Sequence, residues 1–88
     1  MPQEPTILET TELPLAALLL SEDSEAKLAP DKPWNLVERG KREILEFRIA
    51  TMNPQLIDDY RREIATANVR HYEASIRHLL AICQATIR

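Results

Sequence analysis

Residues 35–52 read NLVERGKREILEFRIATM, and the conformation of this stretch decides the fold class of the protein. Its first four residues, Asn35-Leu36-Val37-Glu38, match a capping box, in which the Asn35 side chain accepts a hydrogen bond from the backbone N–H of Glu38. Charged residues fill most of the remaining positions. The apolar residues recur at helical spacing and are Leu36, Val37, Ile44, Leu45, Ile49 and Met52. The stretch therefore predicts an amphipathic helix over residues 35–52.

The only glycine of the chain, Gly40, lies inside this predicted helix. A glycine in a helix interior costs about 1 kcal/mol relative to alanine. We expect that a neighbouring segment packs closely against the helix at Gly40, because a residue without a Cβ allows a close approach.

The chain is expected to stop and restart its helix at Asn53-Pro54. Proline disfavours a helical conformation at the residue before it, whereas Asn followed by Pro is typical of an N-cap and a first helical position. From Gln55 onward neither glycine nor proline occurs, and apolar residues follow one stripe of helical period. This pattern predicts one long helix over residues 54–88, with a buried seam formed by Val69, Tyr72, Ile76, Leu79 and Cys83.

Residues 1–33 are predicted to form an acidic, proline-rich arm that contains a short helix. The arm holds seven of the 14 acidic residues and five of the six prolines. Thr11-Glu12-Leu13-Pro14 can begin the helix, because proline is tolerated in a first turn. Leu15, Leu18 and Leu19 also match the LxxLL pattern, which docks into apolar grooves of other proteins. Packing onto the protein's own long helix is the interpretation that we favour for these leucines.

These patterns together predict an all-α fold, a helix–Pro–helix hairpin with one long C-terminal helix and a short N-terminal helix or arm. The arm would cover residues 1–33 and a helical body residues 34–88. Eighty-eight residues exclude a second domain, and the scarcity of glycine and aromatic residues favours helix over sheet. Because the second helix would be about twice as long as the first, some apolar surface would need cover from the arm or from another protein.

The side chains that carry chemistry show no catalytic or metal-binding spacing. His71 and His78 lie seven residues apart, and neither has the i, i+3 or i, i+4 partner that a metal site on a helix requires. Cys83 lies in the apolar stripe and is expected to be a buried hydrophobe and not a reactive thiol. We therefore expect no enzymatic activity, no cofactor and no metal site.

Arginine supplies eight of the 11 basic residues, and arginine is well suited to bidentate contacts with phosphate or carboxylate. The candidate phosphate-binding residues are Arg39, Lys41, Arg42 and Arg48. Acidic residues are interleaved with these bases, however, and several can pair with them along a helix. A solvated or protein-facing surface is therefore favoured over a phosphate-binding surface.

The sequence predicts a small non-enzymatic protein-interaction module, an accessory subunit or regulator that binds a partner protein through its helices and is able to self-associate. The alternative is a nucleic-acid-associated regulator that uses arginine-rich helix faces. A single cysteine, with neither a signal-peptide pattern nor a membrane-spanning pattern, predicts a cytoplasmic location. The expected interface residues are Leu15, Leu18, Leu19, Trp34, Val69, Tyr72, Ile76 and Leu79.

Overall fold

Residues 42–51 have the two-residue period of a strand and not the period of a helix. In the computed structural model, which describes residues 4–63 and 65–87, alternate side chains from Leu45 to Thr51 are buried on one face. This strand pairs antiparallel with residues 34–39, so that Trp34 lies opposite Phe47. The helix predicted over residues 35–52 is therefore wrong, because the stretch forms a β-hairpin.

The described chain forms a four-stranded antiparallel sheet and three helices, so the all-α prediction and the helix–Pro–helix hairpin are both wrong. No helix within the described ranges is both long enough and apolar enough to cross a membrane. The elements, in chain order, are β1 (Thr6–Thr10), α1 (Leu13–Glu22), β2 (Lys27–Leu28), β3 (Trp34–Arg39), β4 (Arg42–Thr51), α2 (Gln55–Arg61) and α3 (Val69–Thr86).

The expected capping box at Asn35 does not form, because this residue lies in β3. The Asn35 side chain instead bridges two strands. Its Nδ2 donates to Glu9 Oε2 at 2.8 Å and to Glu46 Oε1 at 3.2 Å. An amide that serves two carboxylates on neighbouring strands fixes the register of the sheet on the face opposite the helices.

Gly40 permits a turn and not a close approach of another segment. Its φ is +65°, and no atom lies within 4 Å of the position that a Cβ would occupy. Gly40 and Lys41 form a two-residue turn between Arg39 and Arg42, the last residue pair of the β3–β4 ladder. Two-residue hairpin turns favour glycine at a central position with positive φ.

Gly40→Ala separates the two conformations by the sign of its effect on stability. In a helix this substitution would stabilise the protein by about 1 kcal/mol. In the turn we expect the substitution to lower the free energy of unfolding by about 1 kcal/mol, because alanine is disfavoured at positive φ. Urea unfolding measures the difference, with Lys41→Ala as a control that should change stability by less than about 0.5 kcal/mol. A more stable Gly40→Ala protein would contradict the turn.

β4 is the central strand of the sheet. It pairs with β1 along one edge and with β2 and β3, which lie end to end, along the other edge. Residues 1–33, expected to form an arm, thus supply an edge strand through Thr6–Thr10 and a short segment through Lys27–Leu28. This part of the chain belongs to the sheet and is not an appendage of it.

The short N-terminal helix is confirmed as α1, with Pro14 in its first turn. α1 packs against both α3 and β4. Leu15, Leu18 and Leu19 are buried in the protein's own core, as the favoured interpretation of these leucines predicted. The buried core cluster consists of Ala16, Ala17, Leu19, Leu45, Phe47, Ile49, Ile57 and Leu79.

The long helix expected over residues 54–88 is wrong, because α2 and α3 are separate helices. The chain does restart at Pro54, but the preceding element is a strand. Pro54 itself, and not Asn53, occupies the N-cap position of α2. α2 ends where Glu63 adopts a left-handed backbone with φ of 60°. Asn68 is the N-cap of α3, and its side chain accepts a hydrogen bond from the His71 N–H at 3.2 Å.

Candidate binding surfaces

The outer edge of β3 has no neighbouring strand within the described residues. The Arg48 N–H donates to the Pro33 carbonyl at 2.9 Å. This bond shows which alternate residues of β3 direct their backbone groups toward β4. Because hydrogen-bonded pairs alternate in antiparallel strands, Trp34, Leu36 and Glu38 direct their backbone N–H and C=O groups away from β4. No hydrogen bond in the described part of the chain uses these groups. The edge is therefore open to pairing with another strand.

Apolar side chains accompany this open edge. Leu36 is 55% exposed, although it lies directly opposite the buried Leu45. Trp34 is half-buried and packs against the core cluster. Pro33 precedes the edge and Glu38 lies near its end, and both residue types protect sheet edges from unwanted pairing. The accessible part of the edge is thus short and centred on Leu36.

The tip of the hairpin brings three of the four candidate phosphate-binding residues together. Arg39 lies directly opposite Arg42, with Lys41 in the turn between them, and all three residues are exposed. Within the described ranges, none of them lies in ion-pair contact with an acidic group. Like charges directly opposite each other in a sheet destabilise it. The tip is a small cationic site without an ion pair in the part of the chain that the structure describes.

The fourth candidate, Arg48, is not part of this tip. It lies six residues along β4 from Arg42, roughly 20 Å away at the rise of an extended strand. Its Nη1 contacts Asp31 Oδ2 at 3.1 Å and donates to the Lys32 carbonyl at 3.0 Å. The four predicted phosphate-binding residues therefore do not form one site, and the charge of Arg48 is neutralised by Asp31.

The predicted interface residues divide into buried and accessible groups. The three leucines of α1 and Leu79 are buried, each of them 4% exposed or less. Tyr72 and Ile76 are half-buried against the core, whereas Val69 is 67% exposed. Leu36 was missed as a surface residue, because helical spacing assigned it to a buried face.

A groove of about 380 Å³ forms a second candidate surface. Residues of α1, α2 and α3 line it, and a polar concavity adjoins it at Tyr60. Three expected interface residues, Leu18, Val69 and Tyr72, line this groove. The sequence did not indicate that they form one site, because the walls come from three helices and the connection before α3. Its principal lining residues are Pro14, Leu18, Tyr60, Val69, Tyr72 and Glu73.

The Tyr60 phenol lies beside a carboxylate at the edge of the groove. Burial raises the pKa of the Tyr60 phenol, and the nearby Glu12 carboxylate raises this pKa further. Glu12 occupies the N-cap position of α1 but makes no capping hydrogen bond with its side chain. Its carboxylate instead lies beside Tyr60, at the junction of the groove and the polar concavity.

The remaining chemistry-bearing residues do not assemble into a site in the described part of the chain. No group of three potential metal ligands occurs among the described residues. Burial raises the pKa of the Cys83 thiol, which disfavours the reactive thiolate. Comparisons with protein-family models, with curated proteins and with solved structures found no match to this chain.

Proposed function

We propose that this protein is a small non-enzymatic protein-interaction module that binds an extended segment of a partner protein along the open edge of β3. The observation that carries this proposal is Leu36, which combines outward backbone groups with a side chain that is more than half exposed. The leucines expected to support helix-mediated binding lie in the core. The strand edge is therefore the better place for a partner.

The proposed mode is β-strand addition, in which backbone hydrogen bonds provide affinity and side-chain pockets provide specificity. The N–H and C=O groups of Trp34, Leu36 and Glu38 would pair with the added strand. An apolar side chain opposite Leu36 and a basic side chain opposite Glu38 would fit this edge. The partner segment is accordingly short, about five residues with an apolar centre.

The charge of the protein supports a protein partner over nucleic acid. The formal net charge is −3, which opposes association with a polyanion. The cationic tip at Arg39, Lys41 and Arg42 is flanked by Glu38 and Glu43, which lie opposite each other in the ladder. A role as an accessory subunit or regulator in the cytoplasm fits the single cysteine of the chain.

Leu36→Pro tests this proposal, because proline removes the outward N–H without removing a ladder hydrogen bond to β4. Affinity purification from the native host, with quantitative mass spectrometry, should recover partner proteins with the wild type and lose them with Leu36→Pro. Leu80→Ala, a change at an exposed leucine of α3, is the matched control and should retain them. In the complex, hydrogen exchange of the Leu36 and Glu38 amides should slow.

Two results would overturn the proposal. Recovery of the same proteins with Leu36→Pro, while circular dichroism shows a native fold, would place the interface elsewhere. Loss of all recovered proteins after nuclease treatment would favour the nucleic-acid alternative, since the contacts would then depend on a polyanion.

A further inference from the structure

The groove beside Tyr60 combines aromatic walls with an acidic rim. Tyr60 on α2 and Tyr72 on α3 are both half-buried, and both line the groove with Leu18 of α1. Its volume of about 380 Å³ is within the usual range for ligand pockets. The walls are mainly apolar, so a bare metal ion, which prefers oxygen ligands, does not fit them.

Three carboxylates and one guanidinium line the groove and the adjoining concavity, namely Glu12, Glu63, Glu73 and Arg61. Their formal sum is −2, which disfavours an anionic ligand and favours a cation. Glu73 has an ion pair with Arg77, but both side chains are exposed and the distance is 3.8 Å. Such a contact is weak, so Glu73 still contributes its charge to the rim.

Two of these glutamates occupy positions where other residues would stabilise the fold better. The N-cap position of Glu12 favours Ser, Thr, Asp or Asn, and the Glu12 side chain forms no cap. Glu63 has a left-handed backbone just after α2, a position at which glycine is preferred. Local departures from favoured residues are expected at functional sites. Both departures place a carboxylate in the polar concavity that adjoins the groove at Tyr60.

We propose that this groove binds a small organic cation with an apolar body, of the alkylammonium class. The faces of the two tyrosine rings would attract the cationic head, as aromatic rings do for quaternary ammonium groups. The carboxylates of the rim would add long-range attraction, and Leu18 and Val69 would contact the alkyl part. This site lies on the helical layer and is separate from the edge of β3.

A pair of probes that differ only in charge tests the proposal on the full chain. Choline carries a trimethylammonium group, and 3,3-dimethylbutan-1-ol is its neutral isostere. In ¹H–¹⁵N NMR titrations we expect choline to shift the amide signals of Tyr60, Val69 and Tyr72 in a saturable manner. The neutral probe should bind about tenfold more weakly, because it lacks the cation–π and ionic attractions.

Two conservative variants extend this test. Tyr72→Leu keeps an apolar wall but removes one aromatic face, and Glu12→Gln keeps the side-chain shape but removes a charge. Each variant should weaken choline binding about threefold or more, whereas Glu43→Gln in β4 should leave it unchanged. Equal affinity for the two probes, unchanged binding in both variants, or no saturable shift with choline would each overturn the proposal.

Discussion

A chain that begins at Asp23 is expected to lose cooperative folding completely. Removal of residues 1–22 deletes β1 and α1, and α1 packs against both α3 and β4. Its three buried leucines alone contribute about 6 kcal/mol by removal of apolar area from water. That amount is comparable with the whole stability of a small domain, about 5–15 kcal/mol. Without α1, the core side chains of β4 and α3 would be exposed to water.

Thermal unfolding followed by circular dichroism, with NMR signal dispersion, measures this loss. The matched control is the full chain with Glu4→Gln and Glu25→Gln, which reduces the acidic charge of residues 1–33 without deleting core. This control should unfold cooperatively, since both residues are exposed. If the truncated chain instead stays folded and gains salt-sensitive binding to heparin, the acidic segment masks a basic body and does not complete the core.

Asp23→Ala is expected to have the largest effect of any single polar substitution. Asp23 follows α1 and is only 8% exposed. One carboxylate oxygen accepts from Thr51 Oγ1 at 2.6 Å and from the Met52 N–H at 2.9 Å, and the other accepts from the Glu25 N–H at 3.0 Å. The carboxylate thus joins the end of α1 to the end of β4. Its removal should cost about 3 kcal/mol, because buried donors lose a charged acceptor.

The effect of Asp23 on stability depends on pH. Burial by itself would raise the pKa of Asp23, but its hydrogen bonds outweigh burial and lower this pKa below the ordinary value of 3.8. The stabilisation is therefore complete above the pKa of the unfolded chain and is lost as pH falls through the lower pKa of the folded state. Urea unfolding at pH 7 and below pH 4 should show the difference between wild type and Asp23→Ala narrowing in acid.

Asp31→Asn is the control for this pH dependence. A hydrogen bond from Arg48 lowers the pKa of Asp31, but this carboxylate is exposed. Its substitution should change stability little at pH 7, because solvent screens an exposed ion pair. A difference between wild type and Asp23→Ala that stays constant across this pH range would contradict a charged role for Asp23.

The misassigned hairpin shows why sequence pattern alone failed between residues 35 and 52. Leu45 and Ile49 are four residues apart, and that spacing places both on one face of a helix and also on one face of a strand. Phe47 distinguishes the two conformations, because it would lie on the opposite side of a helix from Leu45. In the structure Phe47 is completely buried on the same face of β4. Gly40 was a second indication of a hairpin, because glycine destabilises a helix but is favoured in a two-residue turn.

The candidate surfaces could not be predicted for a related reason. The open edge at Leu36 exists only because β3 is a strand, and the phase of its hydrogen bonds decides which backbone groups face outward. The groove at Tyr60 needs α1, α2 and α3 to meet, although α1 is far from the other two helices in the sequence. The spacing of residues within one segment therefore predicts neither the open edge nor the groove.

The sequence by itself determined the features that depend on neighbouring residues. These features are the helix that has Pro14 in its first turn, the start of a helix at Pro54, and the apolar face that Leu15, Leu18 and Leu19 present to the core. Only the tertiary structure decided that residues 34–51 form strands, because β4 satisfies its backbone hydrogen bonds by pairing with three other segments of the chain. Strand pairing joins residues distant in sequence, so the same apolar pattern folds as helix or strand according to which distant segments are there to pair with it.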